Sequence, residues 1–505
     1  MKNIKDFLKE RWGFVLVFLV LNFCLFYYNF LREDILHRQY LWPLAILQII
    51  VEIGLIAIYA FVRKKNWKIE RLFLIVFIPL GLTHAVITPF NQAPDEINHI
   101  FRADAISEGK LIAQQDEEGE YREGISRIFW DILNNAQPDR LYYKKVKNRL
   151  LEKTYDDDWT WEYSPTVSYN PIAYAPQAAG LAVGKFFRLP IVLTMYLGRI
   201  FIVLAVAVFG YFAIKMMPRY KEFIVFIFML PATIQQSAIF SGDGMLFASS
   251  MLLIAHAFNC IYSKQKSITK MQILLIYVLT IILANCKSVV YFPIALLFLL
   301  IPKEKFNKPI WKYIHIMSAM VIAFTSSLAW SLSQGVTVGG TNTNLEFAMQ
   351  NPFVTMITAI GTMFSADTVQ LLERVHGLQL GYFNYRGAEI YFIIFIVLAV
   401  VLLVKNVEYF TVKRYEKVLY WSIPIVVSGL LYAVAFIQWG FSKPEDYVID
   451  GVQGRYFTPL LPLIPFMIHP SKPEKTRKPL NIDYVFLFGI FANSCILASK
   501  FLHNF

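Results

Sequence analysis

Cysteine is scarce in this chain of 505 residues, and its scarcity excludes two classes of protein. The four cysteines, Cys24, Cys260, Cys286 and Cys495, are far apart and lie in or at the ends of apolar segments. A disulfide-stabilised domain needs paired cysteines, and a zinc site needs closely spaced ones such as C-x-x-C. We therefore expect neither, and we interpret the four thiols as packing residues.

Charged residues are also few, at 17% of the chain, whereas hydrophobic residues make up 56% and aromatic residues 16%. This balance excludes a soluble globular protein and predicts a membrane protein. Crossing a bilayer takes about 20 apolar residues. The sequence predicts an all-α polytopic membrane protein with about 13 transmembrane helices, near 12–30, 40–62, 71–90, 191–215, 222–240, 244–262, 271–286, 288–302, 312–332, 389–406, 417–438, 456–469 and 483–501.

The chain lacks a small-residue cleavage site after its first apolar run, so we expect a retained span rather than a signal peptide. Basic loops alternate with the other loops and fall on one side of the membrane, which we assign to the cytoplasm together with the amino terminus. The net charge of +12 is explained by this topology, and we infer no nucleic-acid partner from it. Four regions then lie outside: 91–190, 241–243, 333–388 and 439–455.

The most informative polar motif begins at Pro94, just beyond the third apolar run. Pro94 suits the first turn of a helix, and Asp95 suits its N-cap. On a 3.6-residue repeat, Asp95, His99 and Arg102 share one face. A carboxylate, an imidazole and a guanidinium together can move a proton and hold an anion. In the simpler alternative, Asp95 only caps the helix and Glu96 only stabilises its amino-terminal dipole.

Three further charged residues lie at the predicted outer ends of spans, namely Asp243, Lys287 and Arg455. Charges there are costly unless they are paired or hydrated. Arg455 follows Gly454, and a guanidinium suits phosphate binding. In the alternative interpretation, Lys287 and Arg455 extend to the lipid headgroups and Asp243 caps a helix. The short, small-residue-rich segment 172–187 predicts a helix that lies at, or dips into, the outer membrane surface.

Four motifs point to a known family. They are PDEINHIFRA from Pro94, YNPIAYAP from Tyr169, LPATIQQSAIFSGD from Leu230 and GVQGRYFTP from Gly451. In them the chain resembles a bacterial family of multi-pass membrane proteins of formerly unknown function, marked by a PDExxH motif and grouped with the GT-C glycosyltransferases. The resemblance implies a GT-C-like bundle with a large first extracytoplasmic loop after the third span.

The resemblance also implies an organisation of the chain. Residues 1–70 form an added amino-terminal transmembrane hairpin, and residues 71–332 form a GT-C-like catalytic core that includes the outer loop 91–190. Residues 333–388 form a second outer loop, and residues 389–505 supply the carboxy-terminal transmembrane helices.

The implied activity is an inverting transfer of a sugar from a polyprenyl-phosphate donor to a cell-surface glycan or teichoic-acid-like acceptor, on the outer face of the bacterial plasma membrane. The lack of a nucleotide-binding glycine motif fits a donor that is not a nucleotide sugar. Metal dependence stays open, with Mg or Mn as the possible divalent cation. The implied site comprises Asp95, Glu96 and His99 for catalysis, Arg455, Lys287 and Arg102 for the donor phosphate, and Asp243, Gln453 and Tyr174 nearby.

Two other classes of protein stay open. A transporter or flippase of lipid-linked sugars would explain the many spans and the polar residues Gln235 and Gln236 within them. The sequence shows no inverted repeat, which such transporters often have. A non-catalytic assembly protein would not need Asp95, His99 and Arg102 on one helix face.

Overall fold

The structure is a computed structural model and describes most of the chain. It covers residues 2–504 apart from 33–40, 64, 66, 92, 94, 118–120, 134–157, 163–165, 288, 335–342, 364–366, 378, 381–384, 387–388, 406–410, 441–447, 450 and 470–479. Pro94, the predicted first-turn proline, therefore lies outside the described residues.

Helices dominate the described residues. The α-helices are α1 Lys2–Arg32, α2 Leu41–Arg63, α3 Ile69–Ile87, α4 Glu96–Ser107, α5 Arg127–Leu133, α6 Ala175–Phe186, α7 Ile191–Met216, α8 Lys221–Phe228, α9 Pro231–Gln236, α10 Asp243–Tyr262, α11 Lys270–Cys286, α12 Pro309–Ser333, α13 Thr343–Gln350, α14 Pro352–Met363, α15 Asp367–His376, α16 Glu389–Lys405, α17 Arg414–Trp439, α18 Ile464–Ile468 and α19 Asp483–Asn504. Four 3-10 helices join them, at Pro171–Tyr174, Phe292–Leu300, Lys303–Lys305 and Gly454–Leu463.

Within the described residues, two small antiparallel sheets lie between the helices. The first pairs β1 (Gln114–Gln115) with β2 (Tyr121–Ser126), and β2 with β3 (Trp159–Glu162). The second pairs β4 (Gln379–Leu380) with β5 (Tyr385–Arg386). Both sheets fall within the predicted outer loops, so they do not change the helical class of the protein.

Six helical stretches in the described part of the chain are long and apolar enough to cross a membrane. They are Lys9–Tyr27, Ile69–Ile87, Ile191–Met216, Asp243–Tyr262, Pro309–Ser333 and Arg414–Gln438. Together with the shorter apolar helices, they confirm the prediction of an all-α polytopic membrane protein.

Three of the predicted spans, 222–240, 288–302 and 456–469, are not continuous α-helices, so the prediction of regular transmembrane helices there is wrong. The first is broken into α8 and α9, the second is the 3-10 helix Phe292–Leu300, and the third is the 3-10 helix Gly454–Leu463 followed by α18. Proline stands in or at the start of each irregular stretch. Because proline has no backbone N–H and its ring crowds the preceding turn, it interrupts the α-helical ladder.

Helix α6 is shorter than a span. Its twelve residues extend about 18 Å, whereas the hydrocarbon core is about 30 Å thick. Small residues let it pack tightly on α7. A Cβ at Gly180 would lie 2.4 Å from the carbonyl oxygen of Leu197, and one at Gly184 would lie 2.6 Å from Oγ1 of Thr194. Close backbone approach through small residues is typical of helix packing in membranes.

Contacts between loops agree with the predicted alternation of the two membrane sides. On the side that we assign to the cytoplasm, Arg63 binds Asp483 at 2.8 Å. On the opposite side, the Trp330 indole donates to the Ser168 carbonyl, and Lys185 binds Asp104 at 2.8 Å. Each contact joins two segments that the sequence analysis assigns to the same side of the membrane. Which side faces the cytoplasm stays a prediction.

The amino-terminal hairpin, α1 and α2, packs on the last helix α19. Within it, Asn22 donates to Glu52 at 2.7 Å and to the Phe491 carbonyl at 3.1 Å, and the Tyr391 hydroxyl donates to Asn22. Glu52 is fully buried. A buried ionisable side chain needs partners of this kind, so the polar cluster fixes how the hairpin sits against α19.

We predict that residue 112 faces the outside of the cell and residue 267 the cytoplasm. Ile112 and Ser267 are both exposed and lie in loops on opposite predicted sides. A membrane-impermeant maleimide should label Ile112→Cys in intact cells and should label Ser267→Cys only after permeabilisation. The chain without added cysteine is the control, and the reverse pattern would overturn the orientation.

Candidate active site

The first site element is the start of α4, where Asp95 adopts an unusual backbone conformation. Its φ is 62°, in the left-handed region, and the residue is exposed. This conformation costs a residue with a side chain on the order of 1 kcal/mol, although aspartate tolerates it better than most. Asp95 is the N-cap residue of α4, as predicted, but its side chain makes no capping hydrogen bond to the helix.

Glu96 points the opposite way, into the protein. One carboxylate oxygen accepts from Arg199 at 2.6 Å and from the Phe240 backbone N–H at 3.1 Å. The other oxygen accepts from the Asn91 backbone N–H at 2.9 Å. Glu96 and Arg199 are both fully buried. Because both Glu96 oxygens are engaged, these contacts support a positioning role for Glu96 and not the expected catalytic one.

The second site element is an ionic cluster at the start of α10. Asp243 accepts from Lys287 at 3.2 Å through one oxygen and from Nε of Arg455 at 2.7 Å through the other. The Lys287 ammonium also lies 3.5 Å from the centre of the Tyr456 ring. Lys287 directly follows α11, and Arg455 lies in the first turn of the 3-10 helix Gly454–Leu463. The three charges therefore come from remote segments of the chain.

Both cations keep donors for a ligand. Asp243 is 7% exposed at its side chain, whereas Arg455 is 13% and Lys287 is 20% exposed. Among the described residues, Asp243 engages only Nε of Arg455, so the two terminal amino groups of its guanidinium stay available. A planar guanidinium with two available amino groups can bind a phosphate in a bidentate manner.

The third site element pairs His99 with Tyr174. Nδ1 of His99 lies 2.6 Å from the Tyr174 hydroxyl. Desolvation lowers the pKa of His99 to about 4, and the charges of Asp243, Arg455 and Lys287 act on the same ring. Burial raises the pKa of Tyr174 well above its ordinary value. The phenol therefore stays protonated and His99 stays neutral, and the tautomer of the imidazole sets which of the two groups donates in their hydrogen bond.

Tyr169 links these elements into one group of side chains, which we call the pocket. Burial raises the pKa of Tyr169, and the charges of Lys287, Asp243 and Asp95 all act on its hydroxyl. The ring of Tyr169 also lies 6.0 Å from that of His99. The structure thus brings Asp95 within electrostatic reach of the cation cluster, and each of the four sequence motifs contributes to the pocket.

Arg102 has a different role from the expected one. Its guanidinium is buried and donates to Glu123 at 2.7 Å, to the Tyr169 carbonyl at 2.9 Å and to the Leu111 carbonyl at 3.1 Å. These bonds fasten α4 to β2 and to the segment before the 3-10 helix Pro171–Tyr174. Because the Arg102 guanidinium donates its hydrogen bonds to protein acceptors, these contacts support a structural role for Arg102 and not phosphate binding.

Gln453 lies beside the cluster without a described contact to it. It precedes Gly454, at which a Cβ would lie 2.1 Å from the Leu371 carbonyl oxygen of α15. Only glycine fits at this position, because α15 packs directly on the backbone. The packing sets the place of Arg455, which is the next residue.

Three residues of the site escaped the sequence prediction, and the first is Tyr169, whose hydroxyl is acted on by the charges of the cluster. Tyr456, whose ring faces the Lys287 ammonium, directly follows Arg455 in the GVQGRYFTP motif and could have been inferred from that position. Arg199 is an arginine inside an apolar span, and such a charge always calls for a partner. Its partner Glu96 is 103 residues away, and no spacing in the sequence links the two.

A divalent metal does not fit the Asp243 carboxylate, since both of its oxygens already bind cationic side chains. In the described part of the chain, no group of three or more histidine, cysteine, aspartate or glutamate side chains is placed to hold a metal ion.

We predict that Glu96→Gln destabilises the protein. Breaking a buried ion pair by removing one charge costs about 3–5 kcal/mol, because Arg199 is left uncompensated. Thermal unfolding of the purified protein in detergent should show a clearly lower midpoint. The double variant Glu96→Gln, Arg199→Met should recover part of the loss, because no buried charge then lacks a counter-charge. An unchanged midpoint in the single variant would contradict the anchoring role.

Comparison with known proteins gives one match. The model of a family described as a predicted membrane protein (DUF2142) matches residues 78–464, which is most of the chain and includes every residue of the pocket. No curated protein and no solved structure matches the chain. The match leaves out residues 1–77 and 465–505. The chain therefore belongs to the DUF2142 family of predicted membrane proteins.

Proposed function

We propose that this protein is a membrane glycosyltransferase that transfers a sugar from a polyprenyl-phosphate donor to a glycan acceptor on the outer face of the membrane. One observation carries the proposal. An exposed carboxylate, Asp95, lies within electrostatic reach of Arg455, which Asp243 holds beside a second cation, Lys287. The resemblance to GT-C glycosyltransferases in the same four motifs supports it.

The proposed reaction is a single displacement at the anomeric carbon. The acceptor hydroxyl gives its proton to Asp95 while its oxygen forms the new bond to the anomeric carbon. The bond from that carbon to the donor phosphate oxygen breaks, and its electron pair stays on the phosphate. Attack from the side opposite the leaving group inverts the configuration of the sugar. Asp95 suits the base because its carboxylate is exposed to an incoming acceptor.

The charge of the cluster fits the leaving group. Asp243, Lys287 and Arg455 together carry one net positive charge, and a sugar phosphodiester carries one negative charge. When the sugar leaves, the phosphate becomes a monoester and gains negative charge. The cations therefore bind the phosphate more strongly as the bond breaks, and this difference is what accelerates the step.

His99 contributes as a neutral hydrogen-bonding group in this scheme. Its Nε2 is left to hydrogen-bond a sugar hydroxyl, since Tyr174 occupies Nδ1. Because its pKa of about 4 lies well below neutral pH, His99 is uncharged and adds no positive charge to the cluster.

A transporter of lipid-linked sugars is less well supported than an enzyme. Transport needs a polar route from the pocket to the other side of the membrane. Helix α10 runs inward from Asp243, and nearly all of its side chains are buried, most of them within the apolar core. The acceptor that fits an enzyme in this setting is a cell-surface glycan or a teichoic-acid-like polymer, which rests on the resemblance alone.

We predict that Asp95→Asn lowers turnover at least about a hundredfold, as removal of a general base does. The amide keeps the size of the side chain but cannot accept the proton. The measurement is release of polyprenyl phosphate by purified protein that is supplied with a panel of polyprenyl-phosphate sugars and an acceptor. Glu117→Gln, which neutralises another exposed carboxylate of the same outer loop, is the control and should be unaffected. Near-normal turnover of Asp95→Asn would remove Asp95 as the base.

We predict that Arg455→Ala weakens donor binding by roughly 1.5–3 kcal/mol, the range for a hydrogen bond to a charged group. Arg455→Lys should lose only part of that affinity, because it keeps the charge but not the planar fork. Donor affinity of the purified variants is the measurement. Arg127→Ala removes an exposed cation elsewhere on the outer side and should bind donor like the wild type. Unchanged affinity in Arg455→Ala would show that Arg455 does not hold the phosphate.

A further inference from the structure

Helix α14 lies in the predicted second outer loop, but its polarity is the reverse of that expected for a water-facing helix. Its protein-facing side carries threonine, with Thr358 and Thr362 both 7% exposed. Its outer side carries Phe353, Ile357 and Ile360, which are 74%, 64% and 48% exposed. A surface helix in water turns its apolar stripe towards the protein. The opposite arrangement is the one that suits a helix in contact with hydrocarbon.

The length of α14 prevents it from spanning the membrane. Its twelve residues extend about 18 Å, which is well short of the hydrocarbon core of about 30 Å. The apolar surface continues onto the preceding helix α13 at Met349, which is 75% exposed. A short helix of this kind, between two segments on the same side, can lie within one leaflet of the bilayer.

The contact between α14 and α17 indicates how deep α14 lies in the membrane. Ala359 and Met363 of α14 pack with Tyr432 and Phe436 of α17. Helix α17 is a candidate span whose outer end is Trp439. Tyr432 is therefore about 10 Å below that end, at 1.5 Å per residue. Helix α14 is thus packed against the part of α17 that the outer leaflet surrounds.

The exposed face of α17 indicates that lipid acyl chains cover this part of the protein surface. Ile425, Val426 and Val434 are exposed on this span, where bilayer hydrocarbon covers such side chains. Val434 lies about 8 Å below Trp439, at the depth of α14, whereas Ile425 and Val426 lie about 20 Å below it and continue the apolar surface towards the bilayer centre. Hydrocarbon of the outer leaflet therefore suffices to cover both faces.

The protein-facing side of α14 leads to the pocket. Oγ1 of Thr362 accepts from the Ile449 backbone N–H at 3.2 Å, in the segment that precedes Arg455. Helix α15, which follows α14, packs through the Leu371 carbonyl on Gly454. Helix α14 is therefore linked to the segment that carries Arg455 directly, through Thr362, and indirectly, through α15.

We propose that α14 is inserted in the outer leaflet, with its apolar face covered by lipid acyl chains, and that it forms the lipid-side edge of the pocket around Arg455. Insertion does not depend on the activity of the protein. If the proposed function is right, the polyprenyl chain of the donor runs along this edge while its phosphate reaches Arg455.

The test measures the depth of labels on α14. Single cysteines at Phe353→Cys, Ile357→Cys and Ile360→Cys are introduced into the full chain carrying Cys24→Ser and are labelled with a small fluorophore. The purified proteins are placed in nanodiscs of phosphatidylcholine and phosphatidylglycerol. Quenching is then measured with lipid-attached nitroxides and, separately, with aqueous iodide. Three positions on one exposed face keep the test valid where a single variant folds poorly.

Two matched positions calibrate the measurement. Glu117→Cys lies in the first outer loop, where the side chain is exposed, and reports the aqueous limit, whereas Val434→Cys on α17, at the depth of α14, reports the lipid limit. We expect the three α14 labels to resemble Val434, with several-fold stronger nitroxide quenching than at Glu117 and protection from iodide. Strong iodide quenching would overturn the proposal in favour of a water-facing helix. Protection from both quenchers would overturn it in favour of a protein partner or a second copy of the chain.

Discussion

The buried pair of Glu96 and Arg199 is the interaction on which the pocket depends. A buried charge is tolerated only when it has a counter-charge and hydrogen-bond partners, and both Glu96 and Arg199 have them. Glu96 accepts from Arg199 and from two backbone amides, and Arg199 also donates to the carbonyls of Ala85 and Thr88. These bonds tie the end of α3, the start of α4, helix α7 and the segment before Asp243 to one point. Asp95 and Asp243 therefore stand in a fixed relation although 148 residues separate them.

The adjacent residues Asp95 and Glu96 show how one motif can supply both chemistry and support. Successive residues on a helix differ by about 100° in direction, so neighbouring carboxylates do not face the same surroundings. Glu96 is turned into the core, and Asp95 is left exposed in a left-handed conformation. The buried bonds of Glu96 hold the chain where it enters α4, which is how a strained residue can be kept at a functional site.

Much of the candidate site could be predicted from the sequence, because charges at the ends of apolar segments are rare and need a reason. Asp243, Lys287 and Arg455 were identified in this way, and Asp95 and His99 were identified from their shared face on the predicted helix. In the structure, Asp243, Lys287 and Arg455 act electrostatically on His99, and Asp95 acts on Arg455. The roles of Arg102 and Glu96 could not be predicted, since their partners Glu123 and Arg199 are chosen by tertiary packing. The irregular spans were missed for another reason. Hydropathy is the same for an α-helix and a 3-10 helix, and only the prolines distinguish them.

Irregular backbone in the outer half of the bundle coincides with the charged residues. Asp243 follows the broken pair α8 and α9, Lys287 lies five residues before the 3-10 helix Phe292–Leu300, and Arg455 lies inside the 3-10 helix Gly454–Leu463. Non-helical backbone is tolerated at membrane depth only where protein buries it or where it lines a hydrated cavity. The first condition holds for α9 and for much of the two 3-10 helices, whose inner side chains are buried. Half-buried Lys287 and Arg455 need the second condition, because Asp243 offsets only one of their two charges. The surplus positive charge requires water or an anion beside it, and an anion of a membrane-bound substrate would satisfy that requirement in the place where the helices are interrupted.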